Sequence, residues 1–275
     1  MGKDTLEIEV DFTDHEAVEA LEAESRTAKF ATFDIETGPL PEAELEPLIP
    51  FFNEPEPPGE FNPADVKLGN LKDEKKRMEK IEAERVKHAE SILNYTATVA
   101  EKKAQHREKF IRDAALSPLT GRILAAGLLI KETFYIYTAE NEKEEIELLH
   151  DYWGTLLEFN AHTLCGFNIE RFDLPFLCQR SRLLGVKIPH FVRPRATGRY
   201  WSDLFIDLMK VWTFGGDKDF ISLNTVARYL KCGQKSGDGA DFATTFFGPD
   251  RQGAINYLKD DLSLTRRVGC RLGFK

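Results

Sequence analysis

A strand-like run from Lys29 to Ile35 (KFATFDI) carries Asp34, is followed at once by Glu36, and is broken by Gly38-Pro39. Aromatic and β-branched residues favour a pleated, half-buried strand. Residues two apart on a strand leave the same face, so Asp34 and Glu36 project together. Two more carboxylates stand far along the chain: Asp173, in Asn168-x₃-Phe172-Asp173, and Asp261, in Tyr257-x₃-Asp261. Four residues apart on a helix, Tyr257 and Asp261 share one face. Carboxylates gathered in one place raise each other's pKa. A fold that unites these four therefore needs a counter-charge. Divalent cations supply it, and hard oxygen ligands suit Mg²⁺ or Mn²⁺.

The elements between these positions predict an α/β chain with a mixed sheet. Residues 1–28 suggest an edge strand around Leu6–Val10 and then a short acidic helix. Residues 39–63 hold most of the thirteen prolines and little periodicity, which predicts an irregular surface excursion. Between Leu71 and Ala115 the composition turns to Lys, Glu and Ala. Leu71, Met78, Ile81 and Ile92 give a helical stripe there. Asn94-Tyr95-Thr96 is a poor helical centre, so one long helix and a two-helix hairpin both fit. Gly121 to Ile130 and Thr133 to Thr138 read as a β-hairpin around Lys131-Glu132. Helical periodicity follows over Glu142 to Phe159, a short strand over Thr163 to Phe167, and helices over Phe172 to Leu184, Ile221 to Lys231 and Asp250 to Leu272. Ser222 is the expected cap of the second of these three helices.

Composition excludes several classes. No apolar run approaches the ~20 residues a membrane helix needs. The four cysteines, Cys165, Cys178, Cys232 and Cys270, form no CxxC pair, and none of the six histidines has metal-site spacing. A zinc centre is not expected, and a reducing, cytoplasmic setting is. No Walker loop, GxSxG or strand-to-helix GxGxxG is present. The net charge of −9 argues against a nucleic-acid partner, but the charge is unevenly spread. Residues 171–199 carry seven basic residues, Arg171, Arg180, Arg182, Lys187, Arg193, Arg195 and Arg199, against Asp173 alone. A basic strip beside an acidic, metal-binding centre suits a polyanionic substrate.

Each motif alone has an ordinary structural reading: a solvated turn, a helix cap at Asp173, a decorated helix face. Their combination, in this order, resembles the DEDD superfamily of 3′–5′ exonucleases. FDIET resembles the first motif. GFNIERFDLPFL, from Gly166 to Leu177, is similar to the second motif of the proofreading domain of family B DNA polymerases. YLKDD, from Tyr257 to Asp261, resembles the third motif of the tyrosine branch; the histidine branch would place His where Asn256 stands. The resemblance covers roughly residues 29–39 and 118–272.

It implies a ribonuclease H-like fold, a central mixed sheet flanked by helices, within a single exonuclease domain. A Pro-rich and helical insertion at about 40–117 departs from the family pattern. It also implies two Mg²⁺ or Mn²⁺ ions, with Asp34 bridging them, Glu36 and Asp261 completing one site, and Asp173 holding the second ion directly or through a water. Tyr257 would aim the attacking water, and Thr37 and Asn168 would contact the terminal nucleotide. The implied substrate is a single-stranded DNA 3′ end, degraded to 5′-mononucleotides. RNA cleavage of the ribonuclease D type and an inactive nucleic-acid-binding scaffold are the alternatives. The resemblance fits either a free-standing nuclease or one subunit of a replication or repair apparatus, the latter with a replication or repair protein as partner.

Overall fold

The computed structural model describes residues 15–159, 163–192, 204–215 and 220–274. The proposed strand at Leu6–Val10 and the basic residues Arg193, Arg195 and Arg199 lie outside the described residues. The acidic helix that follows is α1, His15–Ser25. The chain divides into two compact units, one of residues up to Leu40 and from Ala114 onward, the other Pro41–Asp113.

In the first unit, β1 (Ala31–Pro39) lies at the centre of a five-stranded sheet. β2 (Gly121–Ile130) pairs antiparallel with β1, and β3 (Thr133–Thr138) pairs antiparallel with β2. On the other side β4 (Leu164–Gly166) runs parallel to β1, and β5 (Phe205–Asp207) runs parallel to β4. The order is β3-β2-β1-β4-β5, a mixed sheet of an α/β fold. All of β2 except Ile130 is buried, which accounts for its unbroken apolar run from Ile123 to Ile130.

Alternation along β1 sorts its side chains between two cores. Phe33 and Ile35 join the core that α4 (Glu142–Glu158) and α5 (Asp173–Leu183) lay on the sheet, with Leu149, Tyr152, Leu156 and Leu177 at its centre. The opposite face is covered by α9 (Arg251–Arg271), whose Leu258 and Leu262 pack with Leu124 and Leu129 of β2. Thr32 points to that side and donates to the Leu262 carbonyl at 3.1 Å. Asp34 and Glu36 follow the same alternation.

Arg180 departs from the expected basic strip. It is 5% exposed and lies inside the fold, where it grips Glu145 of α4 through Nε at 2.8 Å and Nη2 at 2.6 Å. Glu145 also accepts from the Ile123 amide at 2.9 Å, so one buried ion pair joins α4, α5 and β2. Its role is structural.

Three short helices complete this unit. α6 (Leu208–Trp212) follows β5 directly, and α7 (Leu223–Tyr229) is capped by Ser222 as expected, Oγ accepting from Thr225 at 3.1 Å. α8 (Phe242–Phe247) precedes α9. In the second unit the excursion includes a one-turn helix, α2 (Glu42–Leu45), and α3 is one continuous helix, Glu74–Asp113. At 40 residues α3 is about 60 Å long. Asn94-Tyr95-Thr96 does not break it. The Tyr95 hydroxyl bonds the Pro55 carbonyl at 2.8 Å, so the irregular segment supports the helix at its weakest point. Phe61 on His88 and Phe52 on His106 extend that seam.

Candidate active site

The sheet and α9 bring three of the expected carboxylates together. One oxygen each from Asp34, Glu36 and Asp261 lies within 4.8 Å of the other two. Among the described residues, no other trio of acidic, histidine or cysteine side chains is so arranged. Glu36 is 8% and Asp261 2% exposed, and Asp34 is half-buried. A β-bulge between Glu36 and Thr37 shifts the β1–β2 register just after the pair. Bulges re-aim side chains and recur beside active sites.

Asp173, 3% exposed, opens α5 and sits beside Asp34. Its Oδ1 accepts from the Ile35 amide at 3.1 Å. β4 pairs with β1 only at Ala31 and Thr32, so this edge of β1 beyond Thr32 lacks a strand partner, and Asp173 occupies one of its donors. The first turn of a helix also favours a negative charge.

The electrostatics are those of crowded anions. Burial raises the Asp34 carboxyl well above its usual range, and the charges of Asp173, Glu36 and Asp261 add to it. Glu36 is raised well above its range by burial and then by Asp261. Asp173 is pushed up to about 7, chiefly by burial, against the hydrogen bond from Ile35. Asp261 is raised by burial, with Lys235 opposing.

Lys235 belongs to this site, although the polar loop it opens, Lys235 to Gly239, reads from sequence as a surface turn at least as well as a phosphate contact. Its Nζ pairs with Asp261 Oδ2 at 2.6 Å and lies 5.2 Å from the centre of the Tyr257 ring. Burial works against the charged lysine, but Asp261 and the charges of Asp34 and Glu36 outweigh it and raise its pKa. The loop that follows lies against the same tyrosine: a Cβ on Gly237 would stand 3.2 Å from the Tyr257 ring. Sequence alone held only a weak signal for this, one lysine at the head of a Ser-Gly-Asp-Gly loop.

Tyr257 stands one turn before Asp261 on α9. Its hydroxyl is buried without a hydrogen-bond partner, and burial with the Asp261 and Glu36 charges raises its pKa far above the ordinary phenol value. Thr37 spends its proton on the Ala115 carbonyl at 2.8 Å. Asn168 adopts a left-handed backbone conformation, φ 63°, and its Oδ1 is buried without a partner. Asp261 Oδ1 is likewise buried and unpartnered. An all-oxygen donor set with unsatisfied buried acceptors and carboxyl groups poised to hold protons fits a hard divalent cation.

Residues 81–215 match the family described as DNA polymerase family B, exonuclease domain. That match, which spans just under half of the chain, supports a proofreading-type 3′–5′ exonuclease domain. Exonuclease domains of this family are hydrolases that use divalent metals. The matched stretch contains Asn168 and Asp173, whereas Asp34, Glu36, Tyr257 and Asp261 lie outside it and join it through the sheet and α9. Among solved structures, the family B DNA polymerase of the hyperthermophilic archaeon Pyrobaculum calidifontis aligns with 59% of this chain at 17% identity and a TM-score of 0.48. The chain spans 23% of that polymerase. No curated protein matches the chain.

Proposed function

We propose that this exonuclease removes nucleotides from single-stranded DNA 3′ ends, releasing 5′-mononucleotides with the help of two divalent cations, Mg²⁺ or Mn²⁺. The observation that carries the proposal is the convergence of Asp34, Glu36 and Asp261 within 4.8 Å, with Asp173 beside Asp34. These four carboxylates would hold the cations. Bound there, such ions activate water and neutralise charge building on the phosphate and the departing 3′-oxygen.

The protein's own groups divide the remaining work. Tyr257 keeps its proton at any working pH because its pKa is raised, so its hydroxyl positions the attacking water and is not the base. Water adds to the terminal phosphorus, the bond from phosphorus to the 3′-oxygen of the penultimate nucleotide breaks, and phosphate leaves on the 5′ side of the released nucleotide. Asn168 presents its free Oδ1 to the terminal nucleotide. Thr37, its proton committed to Ala115, offers only oxygen lone pairs. Lys235 is the internal counter-charge of Asp261 and stands within the site where a phosphate would enter.

Terminal hydrolysis requires a nucleotide freed from its partner, and unpairing costs free energy. Single strands and frayed ends are therefore preferred. End-labelled DNA and RNA oligonucleotides, incubated with Mg²⁺, Mn²⁺ or EDTA, test the proposal. The expected result is a ladder shortening from the 3′ end of DNA, abolished by EDTA. Faster loss of RNA would reassign the substrate, and cutting of a closed circle at the rate of a linear strand would remove the exonuclease reading.

A further inference from the structure

The turn between β4 and α5 carries both Asn168 and Asp173, and its shape is held from outside by a residue that no motif contains. Asp207 ends β5, opposite Gly166 in the parallel pair of β5 with β4, and is 2% exposed. Its Oδ1 accepts from the amides of Asn168 at 2.9 Å and Met209 at 3.0 Å; its Oδ2 accepts from the amide of Glu170 at 3.1 Å. One carboxylate thus caps α6 and fastens two amides of the turn. Burial raises its pKa and the three donated hydrogen bonds oppose that shift. A surface ion pair between Glu170 and Lys210 of α6 repeats the connection.

The fastening matters because the turn is unusual. Asn168 has φ 63°, a region that costs most side chains energy and that Asn tolerates best. Gly166 precedes it where no side chain fits: a Cβ there would lie 2.2 Å from Ile169 Cγ2 and 3.0 Å from the Phe33 carbonyl. The outcome is a buried Asn168 Oδ1 without a partner. A buried acceptor left unpaired is costly unless a ligand completes it. Asp173 is secured separately, by the Ile35 amide of β1. Asp207 acts on Asp173 only through its charge, which helps raise the Asp173 pKa, and not through any hydrogen bond that places it, while the backbone of Asn168 is held directly.

We propose that Asp207 is a positioning residue of the exonuclease, holding Asn168 in the left-handed turn so that its Oδ1 meets the terminal nucleotide. The proposal rests on the exonuclease reading above and adds a residue that touches neither cation nor substrate. It distinguishes two failures that a static view merges: loss of the cations, and loss of alignment with the cations in place.

The test compares Asp207→Asn, which retains one acceptor oxygen, with Asp207→Ala, which retains none, in the full chain. Hydrogen exchange at the Asn168 and Glu170 amides should quicken in both, more in the alanine variant. Turnover of saturating single-stranded oligonucleotide should fall about 10-fold in the first and about 100-fold in the second, the cost of a small misplacement near the reacting atoms. Mn²⁺ affinity, read by calorimetry, should change less than about threefold, because an unchanged ligand shell keeps its affinity. Asn168→Ala should lower turnover by itself, and adding Asp207→Ala to it should cost no more than about twofold further, since the two act as one unit. Unchanged amide exchange, turnover within about twofold of wild type, or an independent further loss in the double variant would overturn the proposal. So would Mn²⁺ affinity falling in step with turnover, which marks general collapse of the site. Where Asp207→Ala does not fold, the asparagine variant makes the same comparison. A wild-type chain inactive on every oligonucleotide would sink the exonuclease reading instead, and the amide exchange would still decide whether Asp207 holds the turn.

Discussion

Replacing Asp34 by Asn should make the metal-free protein more stable and the enzyme inactive. Asp34, Glu36 and Asp261 place oxygens within 4.8 Å of one another. Two unit charges at that separation repel by about 3.5 kcal/mol at an effective dielectric constant of about 20. The protein evades part of this by holding protons, as the raised pKa of Asp34 indicates, and part through Lys235. A net gain of about 1–3 kcal/mol remains for Asp34→Asn in EDTA at neutral pH. For a chain of this size that is a melting point higher by roughly 3–10 °C. Saturating Mn²⁺ should reverse the order: at 100 times its dissociation constant a ligand adds about 2.7 kcal/mol to the wild type, and the variant, lacking the shared ligand, should gain little. Calorimetry in EDTA and in Mn²⁺, with a nuclease assay on the same preparations, reads all three quantities. An Asp34→Asn protein that melts below wild type in EDTA, or that retains more than about a tenth of its activity, would refute the electrostatic account.

Three further outcomes follow from the geometry. Tyr257→Phe should slow the chemical step on the order of 10- to 1000-fold with little change in metal affinity, measured by single-turnover kinetics and Mn²⁺ titration. Arg180→Ala should cost about 3–5 kcal/mol, since it strands Glu145 with only the Ile123 amide in a buried position; urea midpoints check this, and a loss below about 1 kcal/mol would show the pair to be dispensable. In EDTA, stability should fall as pH rises from about 4 to about 7. The unfolded carboxyls release their protons near 3.8, whereas folded Asp173 holds its proton up to about 7, so rising pH favours unfolding across that window. Melting points at pH 5 and pH 8 decide it, and a flat profile would contradict the shift.

Where sequence and structure part company, the reasons are physical. β2 and β3 were readable because their pattern is long and apolar, and both run from the expected first residue to the expected last. β5 and α6 were not, because three strand residues and five helical ones carry no usable period. Asp207 was invisible for the same reason, lying at the junction of the two. The continuity of α3 through Asn94-Tyr95-Thr96 depends on the Tyr95 bond to Pro55, a contact 40 residues away that no local propensity contains. Arg180 looked like surface charge because a buried arginine and an exposed one have the same letter; only Glu145 at 2.6 Å separates them. The pairing of Asp34 with Glu36 could be expected from alternation along a strand. The arrival of Asp261 within 4.8 Å depends on how α9 crosses the sheet.

Four devices let the fold tolerate the cluster without dispersing it. Protonation shares the charge: Asp34 and Glu36 are raised well above their usual range and Asp173 is pushed up to about 7. The Ile35 amide and the start of α5 offer Asp173 partial positive charge. The bulge after Glu36 breaks the register where the pair must be aimed. Lys235 pairs with Asp261 and lies over Tyr257. Each is partial: Asp261 Oδ1 and the Tyr257 hydroxyl remain buried without partners. A site built for stability alone would replace these acids with apolar side chains, since a buried charge pair is often no better than a well-packed hydrophobic one. Retaining four carboxylates, one of them held by a lysine on a loop, makes sense for a site whose best counter-ion comes from solution and can be exchanged. The residual strain of the metal-free state is then the affinity of the metal-bound one.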